Sequence, residues 1–201
     1  MITPELIRKL APGVGNAAVL SVKLLAACKK FGIDTPLRQA HFMAQIAAES
    51  GLVPQKENLN YSAKRLTEVW PSRFPNITAA LPYANNPEAL GDRVYGGRMG
   101  NKNPGDGLKY CGRGFIQLTG KDNYTRIGKL IDQDLVNNPD LLLQIGVSAL
   151  AAAAFWHAGS INQHADRDDL RAVTKAINGG LIGLDRREAM LKKAKQHLGI
   201  K

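Results

Sequence analysis

Apolar residues cover almost the whole circumference of one predicted helix, between residues 36 and 50. Thr35 followed by Pro36 is typical of a helix start, because a Thr side chain caps free backbone N–H groups and proline fits the first turn. Gly51 follows the apolar run and predicts that the helix ends in a left-handed turn. A helix that is apolar all round belongs at the centre of a fold. We therefore expect Glu49, in its last turn, to be held by a rigid element.

Helical spacing of apolar residues recurs along the chain and predicts a mainly α fold. It occupies residues 17–30 and the groups Tyr124/Ile127/Ile131, Leu170/Val173/Ile177 and Leu191/Ala194/Leu198. Asp185 with Glu188 predicts a capping box at the start of the last helix. The most apolar run, residues 145–156, is shorter than the roughly 20 residues that cross a bilayer. We expect a buried helix there and no stable membrane insertion.

Two segments interrupt the helical pattern. Residues 71–107 are dense in Pro and Gly, which predicts loops and short helices in a small lobe over about residues 71–120. Residues 111–120 form a short apolar stretch between glycines, which predicts an extended segment or a hairpin strand. The whole chain, residues 1–201, then forms one domain of two lobes. Its core helices are expected at about residues 15–70 and 121–201, with at most a minor β hairpin.

The charge and the cysteines narrow the class of protein. A formal net charge of +10 favours an anionic partner such as nucleic acid, a membrane surface or a polymer rich in carboxylates and phosphates. Cys28 and Cys111 are too few for a disulfide scaffold, so reduced thiols are expected. The N-terminal residues lack the basic cap, unbroken apolar core and cleavage site of a secretory signal. The sequence therefore predicts a protein that is made and held in the cytoplasm.

Two glutamates are the strongest candidates for chemistry. Glu49 lies at the C-terminal end of an apolar helix, where the helix dipole opposes a negative charge, and Gln45 lies one turn earlier on the same face. Glu57 lies in a polar loop beside Asn58 and Tyr61, which can bind sugar hydroxyls. An acid that keeps its proton and an acid that loses it are the pair that glycosidic bond cleavage requires. Taken alone, each glutamate is more typical of a solvated surface residue than of a catalytic one.

Alternating residues after Cys111 offer further polar groups. In an extended segment Arg113, Gln117 and Thr119 project to one face, where an amide and a hydroxyl can hold a water nucleophile. Alternatively, Thr119 caps the helix that follows. Asn178 stands before two glycines, a pattern that by default indicates the end of a helix.

The aromatic and histidine side chains point to no further chemistry. Trp70 and Trp156 are expected in the core rather than as sugar platforms. The histidines show no metal-ligand spacing, so no metal and no cofactor are expected.

Five sequence motifs, in this order, resemble glycoside hydrolase family 19, with most similarity to its bacteriophage endolysin branch. They are residues 44–51 (AQIAAESG), 57–63 (ENLNYSA), 95–101 (YGGRMGN), 112–120 (GRGFIQLTG) and 177–180 (INGG). The resemblance extends from about residue 30 to the last helix. It implies a lysozyme-like helical fold with a cleft between two lobes, and hydrolysis with inversion by a single displacement.

The resemblance also implies roles for residues that match the family motifs. Glu49 matches the general acid and Glu57 the general base, and Thr119 matches the hydroxyl residue that helps to hold the water. Five further positions match substrate-cleft residues, namely Gln117, Asn123, Asn178, Tyr95 and Arg186. The plant enzymes of the family place their carboxylates farther apart in sequence and contain disulfides, and this chain departs from them on both counts.

The expected function is that of an endolysin, which cleaves β-1,4 bonds of the peptidoglycan glycan strand as a monomer and reaches the wall after the membrane has been permeabilised. Peptidoglycan is favoured over neutral chitin by the positive charge, to which Lys192, Lys193 and Lys195 of the last helix contribute. No separate cell-wall-binding module is visible.

A chitinase is the alternative within the family. A basic nucleic-acid-binding protein is the alternative of another class, but no groove-reading motif is present. A third alternative is membrane disruption by the basic last helix.

Overall fold

The computed structural model describes residues 1–200 and is built almost entirely of helices. The α-helices of this part of the chain are α1 (Pro4–Leu10), α2 (Ala17–Lys30), α3 (Pro36–Ser50), α4 (Ala63–Val69), α5 (Ile77–Ala80), α6 (Pro87–Tyr95), α7 (Asp106–Lys109), α8 (Lys121–Ile131), α9 (Ile145–Ala158), α10 (Asn162–Ala165), α11 (Leu170–Asn178) and α12 (Leu184–Leu198). Two 3₁₀ helices cover Leu81–Tyr83 and Pro139–Leu143. The predicted mainly α class is confirmed.

A single small sheet joins two distant parts of the chain. Strand β1 (Gln55–Lys56) pairs antiparallel with β2 (Arg113–Gly114), with Gln55 opposite Gly114 and Lys56 opposite Arg113. The next residue after β1, Glu57, continues the pairing, because its backbone N–H donates to the Gly112 carbonyl over 2.8 Å. The sheet therefore fixes where the Glu57 loop lies relative to residues 111–120.

Helix α3 has the predicted bounds because its end signals are local. The Thr35 hydroxyl accepts a hydrogen bond from the Arg38 backbone N–H over 3.2 Å, and Gly51 takes a left-handed φ of 62°. The helix is buried on nearly all sides and has its most extensive packing with α12. It is the central helix of the fold, as its sequence pattern predicts.

The larger hydrophobic cluster surrounds α3 and includes side chains from α1, α2, α8, α9, α11 and α12. Trp156 of α9 is fully buried in it, edge-on to Phe42 with ring centroids 5.5 Å apart, and its indole N–H donates to the Asn162 side chain. The core position predicted for Trp156 is confirmed. Within residues 1–200 no helix is both long and apolar enough to cross a membrane.

A second hydrophobic cluster lies in residues 59–111 and is separate from the first. Its buried members are Leu59, Leu66, Phe74, Ala80, Leu90, Val94 and Cys111. Trp70 is partly buried against it and stacks edge-on against Tyr61. Helices α6 and α7 pack closely there, since a Cβ on Gly107 would lie 2.2 Å from the Gly91 carbonyl oxygen.

Cys28 and Cys111 are free thiols in different clusters, and burial raises the pKa of Cys28 to about 12.

Of the two forms predicted for residues 111–120, an extended segment or a hairpin strand, the structure has the hairpin. Arg113 is bridged back to Leu118, and Gln117 has a φ of 54°, so the chain reverses within five residues. Arg113 is consequently buried, with its guanidinium bonded to Tyr124 and Asp140. The prediction that Arg113 shares a face with Gln117 and Thr119 is wrong.

The capping box predicted for the last helix is also absent. Helix α12 begins after Gly183, which has a φ of 70°, and no side chain caps it. Asp185 lies inside its first turn. There its negative charge interacts favourably with the helix dipole but does not act as a cap.

Candidate active site

A cleft with a volume of about 360 Å³ lies between the two hydrophobic clusters. Its walls come from α3, α6, α8, α9, α11 and the loops near residues 98 and 117. The lining residues are Glu49, Tyr95, Arg98, Met99, Ile116, Gln117, Leu118, Thr119, Asn123, Phe155, Ile177 and Asn178. Six residues predicted from the sequence are therefore brought together, namely Glu49, Tyr95, Gln117, Thr119, Asn123 and Asn178.

Glu49 presents its carboxyl to this cleft from the last turn of α3. One carboxyl oxygen accepts a hydrogen bond of 2.5 Å from the Nη2 of Arg187, and 19% of the Glu49 side chain is exposed. The other terminal nitrogen of Arg187 donates to the Gln45 side-chain oxygen, also over 2.5 Å. The predicted environment is thus only partly right. The nearest neighbour of the carboxyl is a cation rather than an apolar wall, and Gln45 reaches it through Arg187.

The arginine that reaches this site is Arg187 and not its neighbour Arg186, which the family resemblance indicates. Arg186 is exposed and does not line the cleft, whereas Arg187 is buried. The two arginines can be distinguished in the sequence by their spacing from the apolar residues of the same helix. Arg187 lies four residues before Leu191 and seven before Ala194, both buried, so it shares the inward face of α12.

Glu57 is held by donors on the other side of the cleft. The Tyr95 hydroxyl lies 2.7 and 2.9 Å from its two carboxyl oxygens, and the Gly112 backbone N–H donates to one of them over 3.2 Å. Burial and the adjacent Glu57 charge raise the pKa of Tyr95 well above its ordinary value, so Tyr95 remains a donor. Glu57 is not itself a lining residue, and it meets the cleft through Tyr95.

Gln117 lies beside Glu57 because Gly112 leaves room for it. A Cβ on Gly112 would be 2.9 Å from the Gln117 side-chain oxygen and 3.5 Å from a Glu57 carboxyl oxygen. The Gln117 side-chain nitrogen donates to the carbonyls of Gln55 and Gly114, over 3.0 and 2.9 Å. The small sheet thus fixes the amide that borders the Glu57 carboxyl.

Thr119 does not cap the helix that follows it. Helix α8 begins after Gly120 and has no side-chain cap. The Thr119 hydroxyl donates instead to the Gln117 carbonyl over 2.9 Å, and the Asn123 side chain donates to the Thr119 carbonyl over 2.8 Å. A hydroxyl oxygen that donates its only proton still has lone pairs. Thr119 can therefore accept a hydrogen bond from a water in the cleft.

The remaining predicted substrate residues take different positions. Asn178 lines the cleft and also orders the loop after α11, since its side chain bonds to Gly180 and Ile182. Asn58 is exposed and bonds to the backbone of Asn60, and Tyr61 packs against Trp70. Neither Asn58 nor Tyr61 lines the cleft. Within residues 1–200 no three His, Cys, Asp or Glu side chains are grouped so that they could hold a metal ion.

Comparison with known proteins identifies the family. The model of glycoside hydrolase family 19, described as chitinase class I, matches residues 76–180, more than half of the chain. The chain belongs to glycoside hydrolase family 19. Membership makes it a glycosidase with a polysaccharide substrate. Glu49 and Glu57 precede the matched residues, so their assignment depends on the geometry described above.

A relative in Haemophilus influenzae, a glycosyl hydrolase family 19 domain-containing protein, is 35% identical over 190 residues, which cover 93% of this chain and 92% of that protein. An acidic endochitinase of Petunia hybrida is 52% identical over 62 residues, which cover 30% of this chain and 22% of that protein. These two relatives show that similarity to a bacterial family member extends along the chain, whereas similarity to this plant enzyme is confined to a short segment.

The fold matches solved family 19 structures. Chitinase C from Streptomyces griseus HUT6037 superposes with a TM-score of 0.66 at 18% sequence identity, covering all of this chain and 77% of that one. A bacterial family 19 chitinase superposes with a TM-score of 0.61 at 20% identity and covers 96% of that chain. The predicted lysozyme-like helical fold is thereby confirmed.

Proposed function

We propose that this family 19 glycosidase is an endolysin that hydrolyses β-1,4 bonds in the glycan strand of bacterial peptidoglycan and so lyses the host cell. One observation carries the catalytic part of the proposal. Glu49 lines the cleft and Glu57 is bonded to Tyr95, which lines the same cleft. Two carboxyl groups in different surroundings beside one groove are what acid and base catalysis of glycoside hydrolysis requires.

In the single displacement that we propose, Glu49 acts as the general acid. It donates its proton to the glycosidic oxygen as the bond from that oxygen to the anomeric carbon breaks. The negative charge that develops on Glu49 is stabilised by Arg187, which already bonds to that carboxyl. The guanidinium is buried and needs little reorganisation when the charge appears.

In the same displacement Glu57 acts as the general base toward a water molecule. The groups that contact its carboxyl, Tyr95 and the Gly112 N–H, are both donors, which suits an ionised acceptor. Glu57 removes one proton from the water while Thr119 accepts a hydrogen bond from the other. The water oxygen bonds to the anomeric carbon from the side opposite the leaving group, which inverts the configuration. Proton exchange with solvent then restores both carboxyls.

The choice of peptidoglycan is supported by charge. The chain has a net charge of +10, and Arg98 adds a cation to the cleft lining. Peptidoglycan carries peptide carboxylates and associated anionic polymers, so a cationic enzyme is attracted to it more strongly than to neutral chitin. We expect the protein to accumulate in the host cytoplasm, to act as a monomer, and to meet its substrate once the membrane has been permeabilised.

A chitinase is the second candidate because of a specific similarity. The matched plant relatives are named endochitinases, and the solved neighbours are chitinases. Hydrolysis of chitin oligosaccharides by this chain at a rate matching or exceeding that on peptidoglycan would favour this candidate.

The deciding experiment compares wild type with Glu49→Gln and Glu57→Gln on purified peptidoglycan, with mass spectrometry of the reducing-end sugar and NMR of the anomeric configuration. Each variant is expected to lose at least about 100-fold in rate while circular dichroism stays unchanged. The first product formed should have the inverted configuration. Full activity in Glu49→Gln would contradict the assignment of the acid. Retention on heparin without any glycan cleavage would favour a nucleic-acid-binding protein, and lysis by the double variant would favour membrane disruption.

A further inference from the structure

A polar seam runs through the otherwise apolar contact between α3 and α12. His41, Gln45 and Glu49 are spaced by four residues on α3 and therefore lie on one face of that helix. At one end of the seam His41 bonds to Asp168, which is also bonded by Lys195 of α12. The other end contains Gln45, Glu49 and the guanidinium of Arg187.

The amide of Gln45 is fully buried and has two partners in this seam. Its oxygen accepts from the Nη1 of Arg187 over 2.5 Å, and its nitrogen donates to the Thr174 hydroxyl over a longer 3.4 Å. Thr174 is fully buried on α11, one turn before the cleft residue Asn178. The Arg187 side chain is only 5% exposed, so its nitrogens depend on protein acceptors.

We propose that Gln45 and Thr174 are positioning residues of the catalytic acid. Thr174 orients the Gln45 amide, the amide oxygen holds one nitrogen of Arg187, and the second nitrogen is then aimed at Glu49. The inference rests on the proposed role of Glu49 as the acid and adds two residues that do not line the cleft.

The Gln45 side chain is uncharged, and this matters for the interaction between Arg187 and Glu49. A carboxylate at position 45 would accept from Arg187 equally well, but it would compete with Glu49 for the guanidinium charge. It would also place a second negative charge one turn from Glu49. An amide satisfies the buried nitrogen and leaves the positive charge of Arg187 for Glu49.

Three variants separate positioning from simple packing. Gln45→Met keeps the length of the side chain and removes the acceptor, Gln45→Glu adds the competing charge, and Thr174→Val removes the hydroxyl with little change of shape. Thr174→Ser restores the hydroxyl and is the conservative rescue. Lys195→Met is the matched control, because it breaks the polar contact at the other end of the same seam.

The first measurement is the NMR titration of the Glu49 carboxyl carbon in the full chain, assigned by its absence in Glu49→Gln. We expect the titration midpoint to move upward in Gln45→Glu and to change in Gln45→Met. It should stay at the wild-type position in Lys195→Met, whatever the effect of that substitution on the melting temperature. His41, Asp168 and Lys195 are the other ionisable groups along this seam, and they are unchanged in the Gln45 variants.

The second measurement separates kcat from KM on peptidoglycan fragments. Gln45→Met and Thr174→Val are expected to lower kcat by about 10-fold to 100-fold, since a small misplacement of a catalytic group has effects of that size. KM should stay within about two-fold, because these residues are buried and do not line the cleft. Thr174→Ser should recover most of the rate, and the alkaline limb of the pH–rate profile should move upward in Gln45→Glu.

Wild-type titration midpoints in both Gln45 variants, accompanied only by a lower melting temperature, would overturn the inference and reduce the seam to packing. This outcome is distinguishable from a failure of the proposed function. Full hydrolysis by Glu49→Gln would reject Glu49 as the acid, whereas the carboxyl titration reports the coupling of Gln45 to Glu49 whether or not that carboxyl is catalytic.

Discussion

At the residue scale, the contact between Tyr95 and Glu57 is the most direct target for substitution. Tyr95→Phe keeps the ring and removes the hydroxyl that bonds to both Glu57 oxygens. Loss of a hydrogen bond to a charged group costs about 1.5–3 kcal/mol, so we expect a rate roughly 10-fold to 100-fold lower. The acid limb of the pH–rate profile should move to higher pH, because the ionised base has lost a donor.

Tyr83→Phe is the control for this substitution. Tyr83 packs against the same hydrophobic cluster beside Phe74 but does not line the cleft, so its removal should leave both rate and profile unchanged. A wild-type profile in Tyr95→Phe would mean that the tyrosine is not needed to position the base.

Thr119 provides a second test at the scale of one hydroxyl group. Thr119→Ala should retain the fold and lose most activity, while Thr119→Ser should retain activity, since the serine hydroxyl can still bond to Gln117 and accept from water. Turbidity loss of permeabilised bacteria measures both variants. Thr125→Ala removes a hydroxyl that bonds only within α8 and is expected to behave as wild type. Wild-type lysis by Thr119→Ala would reduce Thr119 to a structural residue.

At the scale of elements, the sequence predicts what local signals determine. Helix α3 has its predicted bounds because Thr35, Pro36 and Gly51 act within one turn of the helix ends. Residues 111–120 do not follow their alternation, since their path depends on distant groups. Pairing with β1 and the Ser148 hydroxyl, which accepts from the Phe115 N–H over 2.7 Å, fold the segment back on itself. Contacts with residues so distant in sequence cannot be predicted from the alternation of apolar and polar residues within one segment.

Helix α12 offers a test in which two adjacent arginines serve as experiment and control. Arg187→Met should remove the partner of Glu49 and leave Gln45 without its donor. We expect at least about a 100-fold loss of rate, as for other groups that stabilise charge in the transition state. Arg186→Met removes the same charge from the exposed face and should retain the wild-type rate. Equal effects of both substitutions on peptidoglycan hydrolysis would indicate a loss of general attraction rather than a role at the acid.

At the scale of the whole molecule, the shape of the cleft depends on how the two hydrophobic clusters are positioned relative to each other. Its apolar walls include Ile116, Leu118, Phe155 and Ile177 of the larger cluster or packed against it, and Tyr95 packs against the second cluster. The sequence predicts the residues on each wall, but not that Glu57 would be tied to Tyr95 across 38 positions of the chain. The hydrogen bond between Tyr95 and Glu57 forms only when the complete fold brings the two side chains together.

The stability of the whole fold should fall in mild acid because of His41. Burial lowers the pKa of His41 below its ordinary value, although the bond to Asp168 opposes the shift. A histidine whose pKa is lower in the folded state destabilises the fold when it is protonated. Stability is therefore full above the unfolded pKa of about 6.5 and is lost as the pH falls through and below it. Asp168, whose pKa is also lowered, adds a loss only at much lower pH.

The melting temperature of wild type, measured from pH 7.5 down to about pH 5, around the histidine range, should decline steadily. His41→Gln should show a smaller decline, because glutamine can still donate to Asp168 but does not titrate in this range. His157→Gln, at an exposed position, should keep the wild-type slope. Equal slopes in wild type and His41→Gln would show that the acid sensitivity has another origin. His41 lies on α3 two turns before Glu49. A smaller decline in His41→Gln would therefore show that the pH dependence of stability originates in the helix that carries the proposed acid.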